Sequence, residues 1–151
     1  MTRTPCLLYV ISPLDVGDDF PDRLTAALDA GPVAAFQFRV KGLEQDEAAR
    51  LAEPLQAICA ARDVAFIVND DVALAKRLGA DGVHLGQGDG DPRDARRELG
   101  PNAQIGVTCH ASRHMAMEAG EAGADYVAFG AFYPTTTKAV EHHAEPEILT
   151  W

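Results

Sequence analysis

The sequence has little of what builds a disulfide scaffold, a thiolate metal site or a membrane span. Its 151 residues include three cysteines, Cys6, Cys59 and Cys109. An odd count without CxxC spacing argues against a disulfide framework and a cysteine-ligated zinc. No apolar run approaches the roughly 20 residues that cross a bilayer. Met1-Thr2-Arg3-Thr4-Pro5 lacks the charged-then-apolar order of a secretory signal, although Leu7–Ile11 is apolar, so a cytoplasmic, reducing setting is expected. Positive charge is scarce too: 13 Lys and Arg stand against 23 Asp and Glu, a net charge of −10. That balance argues against wrapping a nucleic acid or lying on an anionic membrane. A small anionic ligand would have to meet a few local cations. What remains is a folded chain's composition, 47% hydrophobic and 24% charged, in a length suited to one domain.

Short β-like runs alternate with helical patterns from end to end. Strands are expected near Leu7–Ser12, Ala34–Lys41, Ala65–Asp70, Gly82–Gln87, Gln104–His110 and Tyr126–Phe132. Helices are expected over Phe20–Gly31, capped by Asp19 with Pro21 in the first turn, and over Gln45–Arg62, where Pro54 implies a kink or a late start. Val72–Leu78, Pro92–Leu99 and Ser112–Ala122 complete the set, with Ser112 as a cap and Met115, Ala119 and Ala122 inward. Strands alternating with helices imply βαβ units, a parallel sheet and one α/β domain over residues 1–151.

An internal echo refines this picture. Gly79-Ala80-Asp81-Gly82-Val83-His84-Leu85-Gly86 recurs 44 residues later as Gly123-Ala124-Asp125-Tyr126-Val127-Ala128-Phe129-Gly130. The offset spans two βα units, which favours equivalent units placed around a ring, a (β/α)8 TIM barrel, over a doubly wound open sheet. At about 24 residues per unit, eight units need about 190 residues, and such barrels usually have 200 or more. Only about six units are present, with Glu147–Trp151 opening a sixth helix. Either the chain is a fragment, which is the preferred expectation, or a partner or domain swap in a homo-oligomer closes the gap, or the sheet is not a barrel.

The chemistry-bearing residues cluster at expected strand ends. Alternation puts Gln37, Arg39 and Lys41 on one face of the second strand and Phe36, Phe38 and Val40 on the other. A diphosphate suits the cations, since Arg offers a planar fork and Lys a point charge; pairing with acidic loop residues is the bland alternative. Asn69-Asp70-Asp71 ends the third strand, where Asp71 is read as a helix cap and Asp70 as free. Asp70 and Asp89 come from neighbouring strand ends and could share a hard cation such as Mg2+, or be acidic turn residues in an acidic protein. Gly86-x-Gly88 lacks the third glycine of a dinucleotide fingerprint. Tyr133-Pro134-Thr135-Thr136-Thr137-Lys138 could surround a phosphate or be an ordinary polar loop. His84 reads as a satisfied interior histidine, His142 and His143 as surface, and Cys109 as packing. Thr108 and His110 face the same way at the end of the fifth strand. All these ligand candidates lie where TIM barrels place their active sites.

The same segments resemble the thiamine-phosphate synthase (thiamine-phosphate pyrophosphorylase) family. The match is carried by Gln37–Lys41, Phe66–Asp71, Ala80–Asp89, Ile105–His110, and Gly123-Ala124-Asp125-Tyr126 through Lys138, in the family's order and spacing. The resemblance implies a transferase. It would condense hydroxymethyl aminopyrimidine diphosphate with hydroxyethyl thiazole phosphate, giving thiamine phosphate and pyrophosphate. It implies further that Gln37, Arg39, Lys41 and Asn69 contact the pyrimidine diphosphate and that Asp70 and Asp89 hold Mg2+. Thr108 and Lys138 would meet the pyrophosphate, and Thr135 and Thr137 the thiazole phosphate. Gly88 and Thr136 stand where the family often has Glu. The family's Gly-rich thiazole-phosphate segment is absent, so a natural protein ending at Trp151 is expected to be inactive. Two other readings compete: a thiazole tautomerase on the same fold, which needs no Mg2+, and a non-catalytic ligand-binding remnant. Retention of both cations, Asp70, Asp89 and Lys138 favours the synthase.

Overall fold

Period-two alternation sorts the strands into an apolar outer face and a polar inner one. The computed structural model describes residues 5–151. Its strands are β1 (Leu8–Ile11), β2 (Val33–Phe38), β3 (Ala65–Asn69), β4 (Gly82–Leu85), β5 (Gln104–His110) and β6 (Tyr126–Phe129). They lie side by side in chain order, every neighbouring pair parallel. Between them run α1 (Phe20–Asp29), α2 (Gln45–Ala60), α3 (Val72–Leu78), α4 (Pro92–Leu99) and α5 (Arg113–Glu121).

Outward side chains of β2 to β5, Phe36, Phe38, Phe66, Val68, Val83, Leu85 and Ile105, are buried against Leu24 and Leu28 of α1, Ala52 and Leu55 of α2, and Leu74 of α3. Phe36 meets Phe20 and Phe66 with ring centroids 6.2 and 5.8 Å apart. The inward residues of the same strands include Gln37, Asn69, His84 and Thr108. The sheet curls strongly. The Tyr9 hydroxyl of β1 lies 2.7 Å from the Tyr126 hydroxyl of β6, so inward side chains of the first and last strands touch across the lumen. Six parallel strands wrapped this way form a half-barrel with helices outside, as the alternation pattern implies.

The echo has a local physical basis. Asp81 and Asp125 each accept from the first residues of the preceding strand, at Phe66 N (2.7 Å) and Ile105 N (2.8 Å). Each also donates its own N–H back, to Phe66 O (3.0 Å) and Ile105 O (2.8 Å). The Gly-Ala-Asp turn is therefore a clip that sets the start of the next strand against the last one. Gly82 follows the first clip because a Cβ there would lie 1.9 Å from the Gln104 carbonyl oxygen.

Several expectations are corrected. Asp19 precedes α1 but caps nothing, because its backbone is already helical (φ −88°, ψ −8°) rather than extended as a capping residue requires. Asp71 and Ser112 do cap, accepting from Leu74 N and Met115 N. Pro54 lies inside α2, which begins at Gln45, so a late start is wrong. Burial of Ala48, Ala49, Ala52, Leu55 and Cys59 on both sides of the missing N–H offsets a cost of about 3 kcal/mol. Strand β2 stops at Phe38, and Arg39 N–H bonds the Ser12 hydroxyl instead (2.9 Å). Strand β6 stops at Phe129. Pro146–Thr150 forms a short 3-10 helix rather than the first turn of an α-helix.

Candidate active site

The C-terminal ends of β2, β3 and β4 bring one cation and two carboxylates together. Lys41 Nζ lies 3.4 Å from Asp70 Oδ2. Asp70 occupies a three-residue turn in which Asp71 N–H bonds Asn69 O (2.8 Å), with φ +65° at Asp70 itself. A non-glycine residue at positive φ carries a cost of about 1–3 kcal/mol, which the surroundings must offset. They do so through Asp70 N–H, which bonds His84 O at 2.8 Å.

Asp89 sits in the turn after β4 and accepts from Gly86 N (2.9 Å). Its proton affinity is raised, first by partial burial and then by the hydrogen bond and negative charge of Asp70; Gly86 N–H and Lys41 act the other way. Two carboxylates pressed together under one lysine form a centre short of positive charge.

A second group gathers where β5 and β6 end. Thr108, His110, Phe129, Thr135, Lys138 and His142 line a recess of about 510 Å³. The His110 and His142 rings stand 4.5 Å apart at 38°. Burial, then His142, then Lys138 lower the proton affinity of His110, while Glu141 opposes them. Thr137 lies outside this recess; its N–H bonds Thr135 Oγ1 (3.2 Å).

Between the two groups, polar side chains cross the lumen. Gln37 Nε2 donates to the Tyr9 hydroxyl (3.0 Å), which meets Tyr126. The Tyr126 hydroxyl lies 3.1 Å from His84 Nδ1, and His84 Nε2 lies 2.8 Å from Thr108 Oγ1. Burial pushes His84 down to about 4, so the ring is neutral near pH 7. Gly106 makes room for this file, since a Cβ there would lie 2.0 Å from the Tyr126 ring. Gln87 Nε2 ties the β4 loop to Thr108 O (2.6 Å).

Of the expected site residues, Lys41, Asp70 and Asp89 meet in one cluster, with Asn69 ending β3 beside them, and Thr108, Thr135 and Lys138 share one recess. Gln37 points into the lumen but is buried against Tyr9 rather than free at the mouth. Arg39 is half-buried and has no carboxylate partner among the described residues, whereas Lys41 has one. His84 is a satisfied interior histidine, as expected, with a partner at each ring nitrogen. His142 is exposed as expected, yet its ring packs on His110. Sequence reasoning missed Tyr9 and Tyr126. The available signal was Gly106, a lone glycine in a strand, which marks a close approach.

The chain resembles known proteins along nearly all of its length. The family model described as thiamine monophosphate synthase matches residues 7–151. The chain is similar to thiamine-phosphate synthase of Erythrobacter litoralis, 69% identical over 99% of this chain and 72% of that protein. The Rhodospirillum centenum thiamine-phosphate synthase is 55% identical over 98% of this chain and 72% of its own. Among solved structures, thiamine phosphate pyrophosphorylase from Pyrococcus furiosus superposes with a TM-score of 0.76 at 32% identity. That match covers 87% of this chain and 63% of the archaeal one.

Proposed function

Since the chain belongs to the thiamine monophosphate synthase family, we propose that its strand-end rim grips hydroxymethyl aminopyrimidine diphosphate. The nitrogen of hydroxyethyl thiazole phosphate then takes the place of the leaving pyrophosphate, and thiamine phosphate results. The observation that carries this reading is the meeting of Lys41, Asp70 and Asp89 at neighbouring strand ends. Two carboxylates set against each other are costly unless positive charge joins them.

The donors are all oxygen, which fits Mg2+. Asp70 and Asp89 would hold it, and bound there it would supply charge to offset that of the leaving diphosphate.

The chain's own residues do the rest. The aminopyrimidine ring donates electrons, so the carbon–oxygen bond to pyrophosphate breaks ahead of attack and charge grows on the leaving group. Arg39, Lys41 and Lys138 stabilise that charge, and Thr108 donates to it. Gln37 and Asn69 orient the pyrimidine diphosphate; Thr135 and Thr137 meet the thiazole phosphate. No general base is required, which suits a site whose one buried histidine is bonded through both nitrogens. A cytoplasmic setting belongs to the same reading. Cys6, Cys59 and Cys109 are free thiols, and no helix among the described residues is long and apolar enough to cross a membrane.

The test is condensation with both substrates and Mg2+. Asp70→Ala should lower turnover by about 100-fold or more. Isomerisation of a thiazole substrate indifferent to Asp70→Ala would point to a tautomerase, and no turnover in the unaltered protein would point to a non-catalytic binder.

A further inference from the structure

The five polar side chains that cross the lumen make a single file, and the direction of hydrogen bonding along it has a chemical consequence at the mouth. The Gln37 amide nitrogen can only donate, so the Tyr9 oxygen is an acceptor there. The Tyr9 O–H is then available to Tyr126, 2.7 Å away, and the Tyr126 O–H to His84 Nδ1 at 3.1 Å. A neutral imidazole carries one N–H. With Nδ1 accepting, that N–H sits on Nε2, which faces Thr108 Oγ1 at 2.8 Å. Every proton but one in this arrangement has an acceptor within the file, and the one left over is the hydroxyl proton of Thr108.

The reverse direction is worse. It leaves the Tyr9 proton with no side-chain acceptor among the described residues and turns the Thr108 proton inward onto His84. The ring is buried, and Gly106 is the space that lets Tyr126 reach it.

We propose that His84 is a positioning residue: held as the Nε2–H tautomer by Tyr126, it donates to Thr108 Oγ1 and thereby presents the Thr108 hydroxyl proton to a phosphate oxygen in the recess shared with Lys138. The inference rests on the reading that Thr108 meets the diphosphate. It adds that a file beginning at Gln37 decides whether Thr108 arrives there as donor or as acceptor. An acceptor facing an anion would repel it, so the tautomer sets the sign of the contact.

Two measurements test this. In long-range 1H–15N NMR spectra of the histidine-labelled chain near pH 7, the His84 signals, identified by their loss in His84→Gln, should show a protonated Nε2 and a bare Nδ1. Tyr126→Phe should convert them to a tautomer mixture. Titration with inorganic pyrophosphate and Mg2+ should give binding weakened about tenfold by Thr108→Val and restored to within about twofold by Thr108→Ser. A protonated Nδ1 in the unaltered chain would overturn the inference even if pyrophosphate binding still depended on Thr108, and the site assignment would then stand alone. A protonated Nε2 with binding indifferent to Thr108→Val would overturn both. Equal losses in Thr108→Val and Thr108→Ser would mean that packing, not the hydroxyl, is what matters, and would overturn the inference as well.

Discussion

Strands β4 and β6 follow the same Gly-Ala-Asp clip and share a valine at their second position, yet all four residues of β4 are buried and all four of β6 are half-buried. The clip hydrogen bonds are alike in both copies, within about a tenth of an ångström at the carboxylate. What differs is company. Strand β4 has β3 and β5 on its two sides and belongs to the large core, whereas β6 pairs only with β5 and packs on a small cluster of Val107, Cys109, Ala116 and Ala119. A repeated sequence thus fixes a repeated turn, while burial, and with it most of the stability at stake, is set by neighbours the repeat does not encode.

The largest expected difference between the copies concerns His84, whose counterpart in the echo is Ala128. The folded ring takes a proton near 4 and a free histidine near 6.5, so the unfolded chain binds the proton more tightly. Stability should therefore fall as the pH drops from about 6.5 to about 4, by a total of about 3 kcal/mol, and His84→Asn should flatten that part of the curve. Denaturant titrations across this range check it. Next comes the pair Val83 and Val127, the same residue at equivalent positions. Val83→Ala in the full core should cost about 2 kcal/mol and Val127→Ala about 1 kcal/mol, measured by urea unfolding. Equal costs would mean that β6 is covered as well as β4 in solution. The smallest contrast is between Asp81→Ala and Asp125→Ala, each removing an acceptor from a backbone N–H. Both should cost about 1–2 kcal/mol and agree to within about 0.5 kcal/mol, although Asp125 also pairs with Arg96 at 2.7 Å, because that exposed pair adds little.

Most of the fold was legible because alternation reports which face of a strand is covered. Gln37 against Phe36 and Phe38, and Cys109 against Thr108, fell on the expected sides. The half-barrel architecture and the synthase family reading are upheld by the comparisons. Less legible were features decided by competition for a single N–H. Asp19 looks like a cap by residue type, but its backbone angles put it inside the helix. Arg39 looks like a strand residue, but Ser12 takes its N–H. Within the candidate site, the expected strand ends put Lys41, Asp70 and Asp89 on one rim, since parallel sheets deliver such residues there, but strand ends alone left the two aspartates equally readable as acidic turn residues, and only the family resemblance joined them in one site. The lumen file was not foreseen, because Tyr9 and Tyr126 are 117 residues apart and meet only when the sheet curls.

The claim on which the rest depends is that this rim takes a diphosphate together with a divalent cation. Calorimetric titration of the 151-residue chain with inorganic pyrophosphate, in Mg2+ and again in excess chelator, tests it most directly. Binding should require Mg2+ and weaken by at least about tenfold in Asp70→Asn and in Asp89→Asn. Binding of equal strength in chelator, or binding untouched by both substitutions, would contradict it.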